Sequence, residues 1–541
     1  MHIERILIIG YKKFRELDIP LRPDINIIVG DNEAGKSTIL ESIDICLSGL
    51  ISHRYIRNEI SQALFNRENI DNYLASLGTD QKTSPPFITI ELHLGGEGLE
   101  EFQGDRNYNK EDSCGLSVHI RLDERNNDLY GEWVQLGDYS GLPIELYGVF
   151  WETFARDRDI TIRHIPLKSA YIDSTQNRPS NGNDLYISKM IKDMLEKDEL
   201  IEILRAQRKA NESFAEDEAI KKINKKIDEV AKVSRKTISI GVEQITTNAW
   251  DSGLYTYIDG IPFVHAGKGE QSIVKTKVAI AHRKAEEKNV LMIEEPENHL
   301  SYAKLNELLL DLSSMRGERQ IIISTHSSFV ANKLGLDSLI LLGAERVLSF
   351  ESVNKEDKDF FRKLAGYDTL RLLLCKKAIL VEGDSDELIV QKAYQIANGG
   401  KLPIQDGIDI ISVRTAFKRF LGVASLIDLD VCIVTDNDGH PERLEQKYQD
   451  YLSPRIKICY DSIVDSGELL ISGKSFNYNS LEPKLVKENG RTVIESILGR
   501  TFENDDELHI FMHANKTECA LAFFSTDKSF RFPNYILEAI R

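Results

Sequence analysis

Gly30-Asp31-Asn32-Glu33-Ala34-Gly35-Lys36-Ser37-Thr38 has the spacing G-x-x-x-x-G-K-[ST] of a phosphate-binding loop. The apolar run Ile25–Val29 precedes it and predicts a strand. A helical pattern begins at Lys36 and sets Ile39, Leu40, Ile43 and Leu47 on one side. Strand, glycine-rich turn and helix in that order bring backbone N–H groups and the positive end of a helix dipole to bear on a phosphate chain. The candidate nucleotide contacts here are Gly30, Asn32, Gly35, Lys36, Ser37 and Thr38. Lys36 would reach the β- and γ-phosphates of ATP, and the Ser37 hydroxyl would take a place on Mg²⁺.

Further along, Val290-Leu291-Met292-Ile293-Glu294-Glu295-Pro296-Glu297 is an apolar strand ending in acid. In an α/β sheet the ligand site lies at the carboxyl ends of the strands. Glu294 is therefore the candidate for holding magnesium through its water shell, and Glu295 for orienting or deprotonating the attacking water. Gly267-Lys268-Gly269-Glu270-Gln271 opens the helix before this strand. Gly267, Gly269 and Gln271 at a helix N-terminus suit the γ-phosphate of a nucleotide held by another subunit. Ile321-Ile322-Ile323-Ser324-Thr325-His326 puts His326 just past a second buried strand, where it could contact the γ-phosphate.

A second acidic constellation follows. Ala378-Ile379-Leu380-Val381-Glu382-Gly383-Asp384-Ser385-Asp386-Glu387 and Val431-Cys432-Ile433-Val434-Thr435-Asp436-Asn437-Asp438-Gly439 are each an apolar strand running into carboxylates. On neighbouring parallel strands, Glu382, Asp386, Asp436 and Asp438 would share one sheet edge. Anions so close raise one another's pKa values, and divalent cations remove that cost. Oxygen donors favour Mg²⁺, Mn²⁺ or Ca²⁺ over zinc. Such a centre can polarise a phosphodiester and activate water. Arg414, Lys418 and Arg419, after the Ile408–Val413 strand, form a basic group where a nucleic-acid backbone could lie; a solvated helix face explains them equally well.

Composition bounds the class. A chain of 541 residues, 41% apolar and 28% charged, has ordinary globular character and room for about three or four domains, or for two with an insertion. With 68 basic and 86 acidic residues the net charge is −18. Nucleic acid could then be gripped only through a local basic groove or through carboxylate-bound metal. The six cysteines form no Cys-x-x-Cys pair, which disfavours a disulfide framework or structural zinc and fits a reducing cytoplasm. No apolar run reaches the ~18 residues of a membrane span, and no small-residue cleavage site follows the N-terminus.

Ile3–Ile9 and the alternating Ile88–Leu94 predict further strands, while Gly95 to Asn127 is polar and glycine-rich and predicts loops and hairpins. Gln176 to Asp184 has linker composition. Helical periods follow at Ile187, Met190, Ile191, Met194 and Leu195, then at Ile220, Ile223, Ile227 and Val230, among charges of both signs. This amphipathic pair is either a solvated insertion or a dimerisation element. A strand–turn–helix order returns from Ile240. Strands at Ala378–Val381, Ile408–Val413 and Val431–Thr435, separated by helical patterns, predict a second α/β domain. The division is an ATPase domain in two parts, 1–178 and 238–350, a helical insertion over 179–237, and a C-terminal domain over 370–541.

The phosphate loop, the Glu-Glu-Pro-Glu strand, Ser324-Thr325-His326 and the opening Gly10-Tyr11-Lys12-Lys13-Phe14-Arg15 together resemble the ABC-type ATPase head of the SMC and RecF superfamily. The usual Leu-Ser-Gly-Gly-Gln signature is reduced to spaced glycines and Gln271, and Glu294 stands for the usual aspartate. The insertion is too short for long coiled-coil arms. The two strands ending in Glu-Gly-Asp-x-Asp and Asp-x-Asp resemble a Rossmann-like Toprim domain. An ABC head followed by Toprim is similar to the OLD (overcoming lysogenization defect) family of nucleases, to which Gabija-type anti-phage nucleases belong. That resemblance implies further site residues. Ser480-Leu481-Glu482-Pro483 matches a Leu-Glu motif whose glutamate, Glu482, helps bind metal. Asn515-Lys516-Thr517-Glu518 matches a lysine motif in which Lys516 stabilises charge on the phosphate in the transition state.

The expected fold is therefore α/β, an ABC-type ATPase domain with a helical insertion followed by Toprim. The expected function is an ATP-binding, divalent-metal-dependent DNA endonuclease in anti-phage defence. Glu382, Asp436, Asp438, Lys516 and Glu295 are the candidate catalytic residues. Glu382, Asp386, Asp436, Asp438 and Glu482 are the candidate metal ligands, with Ser37 at the nucleotide. The resemblance implies ATP, and Mg²⁺ or Mn²⁺ as a pair of ions at the Toprim carboxylates and another with ATP. As partners it implies DNA, further copies of the chain, and a helicase-like protein or a reverse transcriptase with its RNA, in the cytoplasm and away from membranes. Two other functions compete. One is a DNA-repair or structural ATPase whose Toprim domain only binds nucleic acid. The other is a topoisomerase or primase; a topoisomerase would need a tyrosine nucleophile in a cleavage domain, and no such domain is visible in the sequence.

Overall fold

In the computed structural model every residue is described except 32, 53, 80–82, 138–140, 156–159, 174–194, 231–239, 241–255, 282–289, 316, 318, 343–346, 350–355, 358, 361–368 and 472. Two compact units emerge, residues 1–26 with 35–325 and residues 27–34 with 326–541.

The chain opens on an antiparallel hairpin, β1 (His2–Tyr11) and β2 (Phe14–Pro20). Next comes β3 (Ile25–Gly30), buried throughout, then the glycine-rich turn and α1 (Lys36–Ser48). α1 buries Ile39, Leu40, Ile43 and Leu47, the face its periodicity predicts. With β4 (Ile88–Gly95), β5 (Ser113–Leu122) and β6 (Tyr147–Thr153), the hairpin makes an antiparallel sheet in the order β2-β1-β4-β5-β6.

β5 corrects the expectation of loops and hairpins over Gly95 to Asn127. A short hairpin pairing does lead into it, but its ten residues form a full strand. The buried Leu116, Val118 and Ile120 carry the alternation; Ser117, His119 and Arg121 between them give the stretch its polar composition. β4 departs from expectation in the other direction. Its alternation predicts one wet face, yet all eight residues are buried. Tyr108 N donates to Glu91 Oε1 at 2.9 Å and the Phe154 ring lies 4.9 Å from the His93 ring, so later segments roof the polar face.

Farther along run β7 (Ser169–Asp173), α2 (Lys197–Glu216), α3 (Glu218–Val230) and α4 (Lys268–Ala281). The expected linker at 176–184, the periods from Ile187 to Met194 and most of the strand–turn–helix order from Ile240 lie outside the described residues. α2 and α3 keep apolar side chains in solvent, with Ile201, Phe214 and Ile223 each 41–42% exposed. β8 (Val290–Glu294) then pairs in parallel with β7 and with β9 (Gln320–Thr325), bringing Asp173, Glu294 and Ser324 level at their carboxyl ends. The buried Gln320 amide accepts from Ile3 N at 2.8 Å and donates to the carbonyls of Ile3 and Arg22 at 2.7 Å each. A buried amide so satisfied fixes the register of β9 against the N-terminus.

In the second unit, Ile27–Gly30 pair in parallel with β10 (Leu339–Leu342). Downstream, β11 (Lys377–Val381), β12 (Ile408–Ser412), β13 (Asp430–Val434) and β14 (Ile456–Cys459) form a wholly parallel sheet in the order β12-β11-β13-β14. β14 is not predicted, because Ile456-Lys457-Ile458-Cys459 is too short to declare a period. α5 (Asp384–Ala397) and α6 (Phe417–Leu426) make the crossovers, and α7 (Leu481–Asn489), α8 (Lys516–Ser525) and α9 (Asn534–Ala539) follow. Ile379, Val381, Val390, Cys432, Leu485 and Phe523 belong to one core. Truncating such a side chain to alanine costs ~2–5 kcal/mol. That rigid floor holds the strand ends where the acidic residues emerge.

Candidate functional site

At the nucleotide loop, Gly35 caps α1 with φ +100°. A side chain there would be strained, and its Cβ would fall 2.3 Å from Phe14 Cζ. Gly30 is equally confined, with Ala34 Cβ 2.9 Å and the Leu342 carbonyl 3.0 Å from where a Cβ would stand. Lys36 is buried in the first turn of α1, while Ser37 is exposed. The Ser37 hydroxyl donates to Glu294 Oε1, and Tyr171 OH donates to Glu294 Oε2 at 2.5 Å. Both candidate magnesium residues thus meet directly, and Tyr171, which sequence reasoning missed, holds the carboxylate from β7.

Glu295 has φ +43° and its N–H donates to Ser324 O at 2.9 Å, which turns the chain off β8. Asn298 donates to Glu295 Oε2 at 2.7 Å. Gly269 approaches the His299 carbonyl so closely that a Cβ would stand 2.4 Å from it, while Gly267 has open space. Gln271 is buried and its amide donates to Ala266 O at 2.9 Å, so its side chain braces the start of α4. Thr38 is half-buried and His326 follows directly on β9. Asn32 lies outside the described residues.

The second site grows from the parallel sheet. β11 and β13 are neighbours with Leu380 level with Ile433, so Glu382 and Thr435 leave the sheet side by side. Thr435 Oγ1 donates to Glu382 Oε1 at 2.5 Å. Gly383 N donates to Asp386 Oδ2 at 3.1 Å in the first turn of α5. Glu482, buried in the first turn of α7, accepts from Lys516 Nζ at 3.3 Å. Burial first, then the charges of Glu382 and Glu482, hold Asp386 up to about 7, against the Gly383 N–H and Lys516. Burial and the charges of Asp386, Glu382 and Glu482 raise Asp436 well above the ordinary carboxylate range. Lys516 loses to burial but gains more from Glu482, Asp436 and Asp386, so its pKa rises.

Glu382, Asp386, Asp436, Glu482 and Lys516 therefore act on one another. Asp438 is exposed, with φ +48°, and accepts from Asn477 at 2.7 Å. Buried Tyr535 of α9 borders the cluster, raised by burial and then by Asp436 and Asp386. Four carboxylates facing one lysine suit a divalent cation in donor type and in uncompensated charge. Among the described residues no three His, Cys, Asp or Glu side chains are grouped as a ready-made cage, so the fit lies in the chemistry of the donors. The basic group after β12 is partly committed elsewhere: Arg419 donates to Asp357 at 2.7 Å and stacks 4.6 Å from the Phe360 ring centre.

Two known families match separate parts of the chain. The family described as "AAA domain, putative AbiEii toxin, Type IV TA system" matches residues 25–332, and the "Overcoming lysogenization defect protein-like, TOPRIM domain" matches residues 373–438. A protein of Thermus scotoductus described as "OLD nuclease" is 27% identical over 489 residues, 82% of this chain and 84% of that protein. The DNA replication and repair protein RecF of Halalkalibacterium halodurans is 37% identical over 99 residues, 18% of this chain and 24% of that protein. Among solved structures, an Smc head domain bound to the C-terminal domain of ScpA, derived from Pyrococcus furiosus, is 14% identical with a TM-score of 0.34, covering 66% of this chain and 99% of that one. The C-terminal region of the Xanthomonas campestris pv. campestris OLD protein is 22% identical with a TM-score of 0.23, covering 31% of this chain and 92% of that one. The two domain matches imply nucleotide and divalent-metal use. No helix among the described residues is long and apolar enough to cross a membrane.

Proposed function

The chain belongs to the OLD family, an ABC-type ATPase domain followed by a Toprim domain, and on that premise we propose that it is an ATP-using, divalent-metal-dependent DNA endonuclease acting in anti-phage defence. The observation that carries this reading is the mutual charge of Glu382, Asp386, Asp436 and Glu482, opposed by Lys516. A pair of Mg²⁺ or Mn²⁺ ions held there would supply a polarised phosphate and a water of lowered pKa.

This chain's own residues do the rest. Glu382, oriented by Thr435, and Asp436 offer oxygens from the strand ends. Asp386 and Glu482 offer theirs from helix N-termini, and Asp438 is proposed as a further ligand. Lys516 sets a positive charge beside Glu482, where it would offset the charge that builds on phosphate oxygens. In the ATPase domain, Lys36 and the loop N–H groups would hold the phosphates of ATP, Ser37 and Glu294 its magnesium, and Glu295 the attacking water. Gly267, Gly269, Gln271 and His326 are the candidate γ-phosphate contacts. The proposed division keeps the ATPase at 1–178 and 238–350, the helical insertion at 179–237 and the Toprim domain at 370–541. DNA is the proposed substrate and a second copy of the chain the proposed partner. The exposed apolar side chains of α2 and α3 support that pairing. A helicase-like protein, or a reverse transcriptase with its RNA, is the further partner proposed, and the cytoplasm the compartment.

Supercoiled plasmid incubated with the purified chain and Mg²⁺ or Mn²⁺, with and without ATP, tests this. Nicked or linear product that requires metal is expected. Intact plasmid beside continuing ATP hydrolysis would instead favour the repair-ATPase reading.

A further inference from the structure

Beside the carboxylates lies a buried polar network that the catalytic reading does not use. Three segments meet in it: the 435–440 turn that carries Asp436, the 461–465 segment after β14, and α7, which carries Glu482. Asn437 is 2% exposed. Its amide nitrogen donates to the carbonyl of Asp461 and, at 3.2 Å, to that of Ile463, while its Oδ1 accepts from Gly439 N at 2.8 Å. Lys484 is also 2% exposed. It donates to the same Ile463 carbonyl at 2.8 Å and reaches the carboxylates of Asp461 and Asp465 at 2.6 Å each. Ile463 N returns a bond to Asp461 Oδ1 at 2.9 Å. Asn479 holds Asp465 through both backbone atoms, at 2.7 and 2.8 Å, and Lys487 adds a contact to its carboxylate at 2.6 Å.

A buried ammonium is costly unless every proton finds a partner, and here all three do. The Ile463 carbonyl is an acceptor that Asn437 and Lys484 share. Asn437 stands between Asp436 and Asp438 in the chain, and Lys484 lies just beyond Glu482 on α7. Each therefore anchors the backbone beside a candidate ligand rather than its carboxylate. Through one short strap, the turn bearing Asp436 and the helix bearing Glu482 are braced against each other.

Resting on the metal-dependent reading above, we propose that Lys484, together with Asn437, is a positioning residue of the acidic site. The brace sets the spacing of Asp436 and Glu482 and so the affinity with which the site takes a divalent cation. Outer partners of this kind are worth ~10–100-fold in metal affinity.

Mn²⁺ alone is the probe, titrated calorimetrically into the nucleotide-free chain, with melting temperature and ATP binding followed alongside. Lys484→Met keeps the length of the side chain and removes its donors; Asn437→Ala removes the other anchor. Each should weaken Mn²⁺ binding by ~10-fold or more with ATP binding unchanged. The double variant should be little worse than the weaker single one, because both act through one strap. Should Lys484→Met fail to fold, Asp465→Asn, which takes a carboxylate from the same lysine, carries the same expectation. Unchanged Mn²⁺ affinity in the folded variants, or fully additive losses, overturns the positioning role and leaves the metal reading standing. Absence of saturable Mn²⁺ binding by the unaltered chain overturns the metal reading and this role with it.

Discussion

Lys516 Nζ lies 3.3 Å from Glu482 Oε2, so the first turns of α8 and α7 meet across the acidic site. The same lysine lowers the pKa of both Asp386 and Asp436 against the burial and neighbouring acids that raise them. A cation so placed is suited to charge that appears on a phosphate during hydrolysis. Lys516→Met should therefore slow single-turnover plasmid nicking by ~10²–10³-fold and leave ATP binding alone. A change of less than about twofold would remove Lys516 from the machinery.

Lys36 is buried at the start of α1, behind Gly35, where a Cβ would have no room beside Phe14. Lys36→Ala should weaken ATP binding by ~10–100-fold, the worth of a charge-assisted bond to phosphate. Mn²⁺ binding at the Toprim carboxylates should persist in that variant, as calorimetry without nucleotide would show. Loss of both would mean the two sites are not independent.

Glu91, in the middle of β4, is pushed up to about 7 by burial, partly opposed by the Tyr108 N–H. Between its ordinary value of 4.5 and about 7, the folded chain keeps a proton that the unfolded chain has lost. Stability therefore falls as pH rises through that window and stays lower above it. Glu91→Gln keeps the bond from Tyr108 and removes the titration. The loss of stability between about pH 5 and 8 should shrink by up to ~3 kcal/mol in the variant, read from urea midpoints. An unchanged pH slope would show that Glu91 is ionised in the fold.

Much of this architecture is legible without coordinates where a residue's neighbours in sequence are also its neighbours in space. β3 with its glycine turn, and the apolar runs that become β8, β9, β11 and β13, declare themselves because a strand covered on both faces must be apolar throughout. β5 hides because alternating polar residues give it the composition of a loop. Tyr171 and Thr435 show the other limit. Tyr171 meets Glu294 across 123 positions of sequence, and Thr435 meets Glu382 across 53. No local pattern announces either contact. Lys516, read by itself, is an ordinary helix-start lysine; its pairing with Glu482 needs two helices folded together. Lys484 likewise looks like one more surface charge, yet it is buried among Asp461, Asp465 and the Ile463 carbonyl.

Carboxylates from separate strands of the Toprim domain should collect divalent ions for phosphodiester hydrolysis. The most direct test of that role is Mn²⁺-dependent cleavage of supercoiled plasmid by the unaltered chain, by Glu382→Ala and by Asp436→Ala, with ATP binding measured in each. Metal-dependent product is expected from the unaltered chain, with a loss of ~10³-fold or more in both variants and ATP binding retained. Equal cleavage by the variants, or none from the unaltered chain with any divalent ion, would contradict it.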